Sequence, residues 1–408
     1  MNKKLKVFII IILLLLVLSG LSYGGYKLYW YIRIKTAKIE VTLKDNLTLE
    51  FTESAKVSDF ITSINGKITD DYEIDSTKVG KQNIEFKFVN DDGIPVKYNY
   101  DIEVVDNVEP VIWLGSSYRV KKGNKFDTSK ILCGDNYDSK PKCYVSGEYD
   151  TKTVGSYPLT FIAEDSSGNI ATQDFVLNVY EPKKSSTSSD TDSGVSTQRN
   201  YTYFDKIYEK YKTNTNKVGI DVSKWQGDIN FEELKKDGVE FIIIRVGYTK
   251  GTDGEYILDP KFIDNIKGAN EYDIPVGLYF YSYANSSEHA IRDAKWVLEQ
   301  IKYYKVELPI AFDWEEWSSF NEYNLSFYEL TNMGNSFIET IESNGYKGML
   351  YSSKSYLEYI WLPTKYDIWL AHYTDKTNYK GKYKFWQLCD DGKVDGINGA
   401  VDVDIMYE

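Results

Sequence analysis

The longest apolar run lies near the start of the chain, in KKLKVFIIIILLLLVLSGLSYGGY. Residues 7–26 carry no charge. The run is about 20 residues long, the length of a helix that crosses a bilayer. Lys3, Lys4 and Lys6 precede it, and Tyr26, Tyr29, Trp30 and Tyr31 follow as an interfacial aromatic belt would. The run is long for a signal-peptide core, and no A-x-A-type cleavage site follows. A retained anchor is therefore expected over residues 1–36. Lys27, Arg33 and Lys35 lie beyond the run, so the distribution of basic residues does not decide its orientation.

From residue 37 the pattern changes to alternation of apolar and polar positions, bounded by turn residues, which predicts antiparallel strands. The pattern occurs twice. Asp75, Val79, Gly80, Phe86, Gly93 and Val104 recur as Asp150, Val154, Gly155, Phe161, Gly168 and Val179. Two small β-sandwiches are expected, over 37–105 and 106–180. The stretch VGSYPLTFIAEDSSGNIATQDFVLNV resembles bacterial immunoglobulin-like surface domains. No aromatic cluster or charged patch in the repeats stands out, so a stalk is expected, with ligand binding as the alternative. Residues 181–200, EPKKSSTSSDTDSGVSTQRN, are almost free of apolar side chains and predict a linker.

In 201–408 short apolar runs alternate with amphipathic stretches. The runs are VGIDVS, EFIIIRVGY, PVGLYFYSY, LPIAFDWE, GMLYSS, DIWLAHY, KFWQL and VDIMY. Eight strands with helices between them predict an α/β barrel of the TIM type, with short or missing helices after residue 367. Active sites of such barrels lie at the C-terminal ends of the strands. There the sequence places carboxylates. The run 308–312 leads into Asp313 and Glu315, Asp221 ends the first strand, and Asp402 and Asp404 lie on the last. Buried carboxylates repel one another, so one retains its proton to higher pH, as a general acid must. Glycoside hydrolysis needs such a pair. Ion pairing with Lys or Arg, loop capping, or a divalent-cation cage are the alternatives. No D-x-D-x-D-G loop or phosphate-binding Gly loop accompanies the acids.

Composition narrows the classes. A net charge of -13 argues against a broad electrostatic grip on nucleic acid. Two His and three Cys are too few for a His-rich or cysteine metal cluster, so neither metal nor cofactor is expected. Aromatic residues make up 15% of the chain, with 36 Tyr and 9 Trp, which suits a carbohydrate-facing cleft as well as a core. Cys133 and Cys143 flank GDNYDSKPK at a spacing that suits a disulfide in a domain outside the cell, with two free thiols as the alternative. Cys389 is expected in the core.

From about residue 217 to 408 the chain resembles the family 25 glycoside hydrolases, muramidases that cut bacterial peptidoglycan. The resemblance rests on GIDVSKWQGDINFEEL, FIIIRVGY, DPKFIDNIKGANEYDIPVGLYFYSYA, FDWEE, IWLAHY, FWQL and VDVDIMY in this order. It implies that Glu315 protonates the leaving glycosidic oxygen. Asp313 would orient the substrate's N-acetyl group or stabilise developing positive charge. Asp221 and Asp402 would shape the field of the cleft, Asp402 fitting the motif better than Asp404. Tyr279, Tyr281, Trp314, Trp369, Tyr373 and Trp386 become candidates for stacking on sugar rings, with core packing as the alternative for each. Arg245 reads as a structural ion-pair partner. Peptidoglycan is then the expected partner. The substrate puts the enzyme outside the cell membrane, with the N-terminus in the cytoplasm. A catalytically silent peptidoglycan-binding protein and a stalked adhesin are the competing readings.

Overall fold

The structure is a computed structural model that describes residues 3–129, 131–182, 200–252 and 254–408. Most of the expected linker, 183–199, lies outside the described residues. The chain divides into two compact units, Met1–Asn107 and Val108–Glu408.

In the first unit, the expected N-terminal helix forms over Lys3–Thr36. Among the described residues no helix is long and apolar enough to cross a membrane. The spanning segment expected at residues 7–26 thus has a helix but no support as a span. The β domain that follows has a four-stranded sheet, built on a long hairpin of Gly80–Asn90 and Pro95–Val105. Val41–Leu43 and Ile61–Ile64 form a second, two-stranded sheet. Leu49, Val57, Phe60, Phe86, Phe88 and Ile102 are buried in the core between them.

The second unit opens with the repeat of that domain. Its hairpin, Gly155–Glu164 with Ile170–Tyr180, lies 75 positions after the first one. Gly93 and Gly168 occupy the same turn with φ of 76° and 94°, where a side chain would be strained. Cys133 and Cys143 are disulfide-bonded, with Cα atoms 6.4 Å apart. Asp135 holds the intervening turn by accepting the backbone N–H groups of Tyr137 and Asp138, at 2.9 and 2.7 Å.

The rest of the second unit is a closed barrel of eight strands. They are β1 (Asn216–Val222), β2 (Ile242–Thr249), β3 (Val276–Tyr281), β4 (Ile310–Asp313), β5 (Gly348–Ser353), β6 (Asp367–Ala371), β7 (Phe385–Lys393) and β8 (Val401–Tyr407). Neighbours from β1 to β7 pair in parallel. β8 closes the barrel antiparallel to both β7 and β1. That corrects the expected TIM-type barrel. Helices follow β1 to β5, as Phe231–Asp237, Phe262–Glu271, Ser287–Ile301, Phe327–Ser343 and Lys354–Tyr359. Among the described residues none follows β6 or β7. The connection from β7 to β8, residues 394–400, leaves room only for a strand that turns straight back, and a returning strand runs antiparallel. Outward residues such as Ile220, Ile244, Leu278 and Phe312 pack under the helices. Ile243, Ala311, Met349, Trp369 and Phe385 fill the interior.

Candidate active site

Alternation along the strands builds the site. Side chains two apart on a strand share a face. Ile243, Tyr279, Ala311, Met349 and Phe385 belong to the interior cluster or pack against it. Two residues on, toward the C-terminal ends, come Arg245, Tyr281, Asp313, Tyr351 and Gln387, and these line a cavity of about 250 Å³. Asp221, Glu315, Tyr279, Trp369, Tyr373 and Asp402 complete its lining. Glu315 lies beyond the end of β4 rather than on it. A second cavity of about 340 Å³ adjoins, sharing Glu315, Tyr351 and Tyr373 and bounded by Ser353, Lys354, Ser355 and His372. Larger cavities of about 560 and 600 Å³ lie at the other end of the barrel, by Tyr366, Asp367 and Lys384, and no catalytic candidate lines them.

All four expected acids therefore meet. Asp221 and Asp402 face each other across the β1–β8 pairing. Asp221 Oδ2 accepts the Gln387 amide at 2.7 Å. The Gln387 carbonyl in turn accepts the hydroxyls of Tyr351 and Tyr373, at 2.9 and 3.0 Å. Asp404 is wholly buried behind the cavity and accepts the Trp369 indole N–H at 2.7 Å. Of the two candidates on β8, Asp402 is the one open to the cavity. Arg245 is ion-paired with the buried Asp259, Nη2 to Oδ2 2.7 Å, while its charge still reaches Asp313 and Asp221.

Burial raises every one of these acids. Asp313 is pushed well up, first by loss of water, then by the charges of Glu315 and Asp221, with Arg245 opposing. Asp221 is raised by burial and by Asp404. Asp402 is pushed up to about 8 by burial, with Asp221 and Asp390 adding. Glu315 is raised by burial of its carboxyl and by Glu316. Glu315 nonetheless keeps an exposed surface, so solvent screening weakens its shift relative to that of buried Asp313. Asp313 Oδ1 is buried with no hydrogen-bond partner in the protein.

The aromatic candidates divide. Tyr279, Tyr281, Trp369 and Tyr373 line the cavity. Trp314 does not: it is fully buried, donates its indole N–H to Ala284 O at 2.9 Å and packs edge-on against Trp317. Trp386 is also buried outside the cavity, bonded to His372 O and packed on Tyr211. Both lie on the opposite parity from the residues that line the site, and parity at a strand end is not fixed by composition. Gln387 and Tyr351 were missed because neutral side chains carry no charge signal. The i+2 spacing from Phe385 and Met349 was the available clue.

A closed barrel with carboxylates and aromatics in one cavity at its C-terminal end suits a glycoside hydrolase. The family model of the glycosyl hydrolases family 25 matches residues 220–397. The uncharacterized protein YegX of Escherichia coli K12 is 31% identical over 200 residues, covering 46% of this chain and 68% of that one. The autolytic lysozyme of Clostridium acetobutylicum is 29% identical over 196 residues, covering 47% of this chain and 56% of the relative. Lysozyme M1 of Streptomyces globisporus is 28% identical over 202 residues, covering 45% and 65%. The chain belongs to glycosyl hydrolase family 25. It is a glycoside hydrolase of the muramidase type.

Proposed function

We propose that the enzyme cleaves the β-1,4 bond between N-acetylmuramic acid and N-acetylglucosamine in peptidoglycan, with Glu315 as proton donor. The observation that carries this is the meeting of Asp313 and Glu315 in one cavity, with a buried, partnerless oxygen on Asp313. A substrate acetamido N–H would satisfy that oxygen. In the free enzyme the two acids repel and share protons as a pair. An N–H on Asp313 favours its anion, and a glycan covering Glu315 removes water, so the proton stays on Glu315. The acetamido oxygen then attacks C1 as the C1–O bond breaks, and the leaving oxygen takes the proton of Glu315. Water opens the resulting ring at C1 and gives a proton back to Glu315. Asp221, held by Gln387, and Asp402 set the field beneath the sugar.

Glu315→Gln, an isosteric change, is expected to lower turnover of peptidoglycan by roughly two to four orders of magnitude, the contribution of a general acid. Near wild-type lysis by a folded variant would remove Glu315 from this role. Glycan de-N-acetylated at muramic acid is expected to bind but be cut very slowly, whereas equal rates on both glycans would exclude attack by the acetamido oxygen.

We also propose that the N-terminal helix tethers the enzyme to the outer face of the cell membrane, for remodelling or lysis of the wall. The uncharged run 7–26 supports this, as do the exposed Leu14, Leu15, Leu16, Val17 and Leu18 along the helix. A net charge of -13 supplies no electrostatic attraction to an anionic wall, so a tether would provide retention. The full chain should stay with membranes through carbonate washing, and protease added to intact protoplasts should remove the barrel. Release of a shortened chain into the medium would contradict it.

A further inference from the structure

The second β domain packs on the barrel beside Glu315. Its strand Leu132–Gly134 is buried throughout. Leu132 joins the barrel core with Phe320 and Phe327. Those two rings press on Gly134 so closely that a Cβ there would lie 2.6 Å from Phe327 and 2.7 Å from Phe320. Asn321 ties the contact. Its amide donates to Ile131 O at 2.7 Å and Ser129 O at 3.3 Å, and its carbonyl accepts Cys133 N–H at 3.1 Å. The helix Phe327–Ser343 also depends on the second domain. Its first two N–H groups, on Phe327 and Tyr328, have no partner within the helix. They donate to Asp135 O at 2.7 Å and Asn136 O at 3.2 Å.

The segment held in this way links Glu315 to the rest of the fold. After Glu316 it has only a three-residue 3₁₀ turn, Trp317–Ser319, and a four-residue helix, Phe320–Tyr323, which ends at Asn324 with φ of 52°. Such short pieces hold few hydrogen bonds of their own. A line of rings runs in from the second domain. Trp113 lies 5.0 Å from Tyr356, Tyr356 stacks on Trp317 at 3.8 Å, and Trp317 meets Trp314 at 4.8 Å. Trp314 is the residue between Asp313 and Glu315.

We infer that the second β domain is part of the catalytic unit, with Asn321 and Trp113 as positioning residues that act on Glu315 through the segment after β4. A donor must sit within hydrogen-bond reach of the leaving oxygen, and a misplacement of about 1 Å costs on the order of a hundredfold. The inference rests on Glu315 being the proton donor.

The test uses the full chain with Asn321→Ala, Trp113→Ala and Trp113→Phe, on a soluble peptidoglycan tetrasaccharide. Asn321→Ala and Trp113→Ala should lower kcat about tenfold or more, with KM changed less than about threefold, and Trp113→Phe should recover most of the loss. The high-pH limb of kcat should move to lower pH, because a loosened segment lets water reach Glu315. The groups facing Glu315 are Asp313, Glu316, Tyr281, Tyr351, Tyr356 and Tyr373, with Lys354 and His372 across the adjoining cavity. None of them is altered in these variants. The folded fraction itself falls with rising pH, so kcat is taken per folded molecule measured at each pH, and partial unfolding is then not read as the shift. If Asn321→Ala does not fold, the two Trp113 variants carry the test alone. A wild-type profile and kcat per folded molecule would overturn the inference, as would a loss of activity that only follows the folded fraction. Activity in Glu315→Gln would instead overturn the donor itself.

Discussion

Glu315 and Glu316 are adjacent carboxylates with different surroundings. Glu316 accepts a hydrogen bond from Tyr281 at 3.4 Å, and its charge raises the pKa of Glu315. Removing a like charge favours ionisation of the neighbour. Glu316→Gln should therefore lower the Glu315 pKa and move the high-pH limb of kcat toward acid, and a limb that moves the other way would show that Glu315 is not the group titrating there. Asp402 offers a test through stability. Its carboxyl has an ordinary value of 3.8 and is pushed up to about 8 in the fold. The folded chain keeps this proton where the unfolded chain has lost it. The resulting stability is complete below about pH 4 and lost as pH rises through about 8. Asp402→Asn removes the charge at every pH, so its melting temperature should exceed that of wild type at pH 8 and match it near pH 4. An equal effect at both pH values would contradict the assigned shift. The acids were legible because charge at the end of an apolar strand is costly unless it is used. Gln387 was not, since its place beneath Asp221 depends on the register of β6, β7 and β8.

At the scale of elements, the two hairpins were legible because their turn glycines and alternating residues repeat at a fixed interval. The eight barrel strands were legible from their apolar runs. The direction of β8 was not, since a buried strand has the same composition either way. Nor was the burial of Leu132–Gly134: alternation shows that a strand is half-covered, not what covers it. Gly134 now supplies a prediction. Its backbone is not in the left-handed region, so the cost of a larger residue starts with its collision with the rings of Phe320 and Phe327. Gly134→Val should destabilise the chain by about 1–3 kcal/mol through overpacking. Denaturant melts would measure it, and an unchanged midpoint would show that the contact with the barrel is looser than described.

At the scale of the whole molecule, the second repeat is not a spacer set apart from the enzyme by residues 181–200. It shares the compact unit Val108–Glu408 with the barrel. Hydrogen exchange followed by mass spectrometry should show Gly155–Glu164 and β4 losing protection at the same denaturant concentration, as parts of one cooperative unit. Earlier opening of the hairpin would separate the two. The sequence suggested a stalk because no aromatic cluster or charged patch marks the repeats, whereas the contact depends on a few residues, Trp113, Leu132 and Gly134, that look like ordinary strand positions. The cavity at the top of the barrel is proposed to cut a glycosidic bond of peptidoglycan by protonation from Glu315. Borohydride reduction of digested glycan, followed by mass spectrometry, tests it most directly. Wild-type enzyme should create new reducing ends on N-acetylmuramic acid, and Glu315→Gln should create almost none. New ends on N-acetylglucosamine, cleavage confined to peptide bonds, or equal yields from both enzymes would contradict the claim.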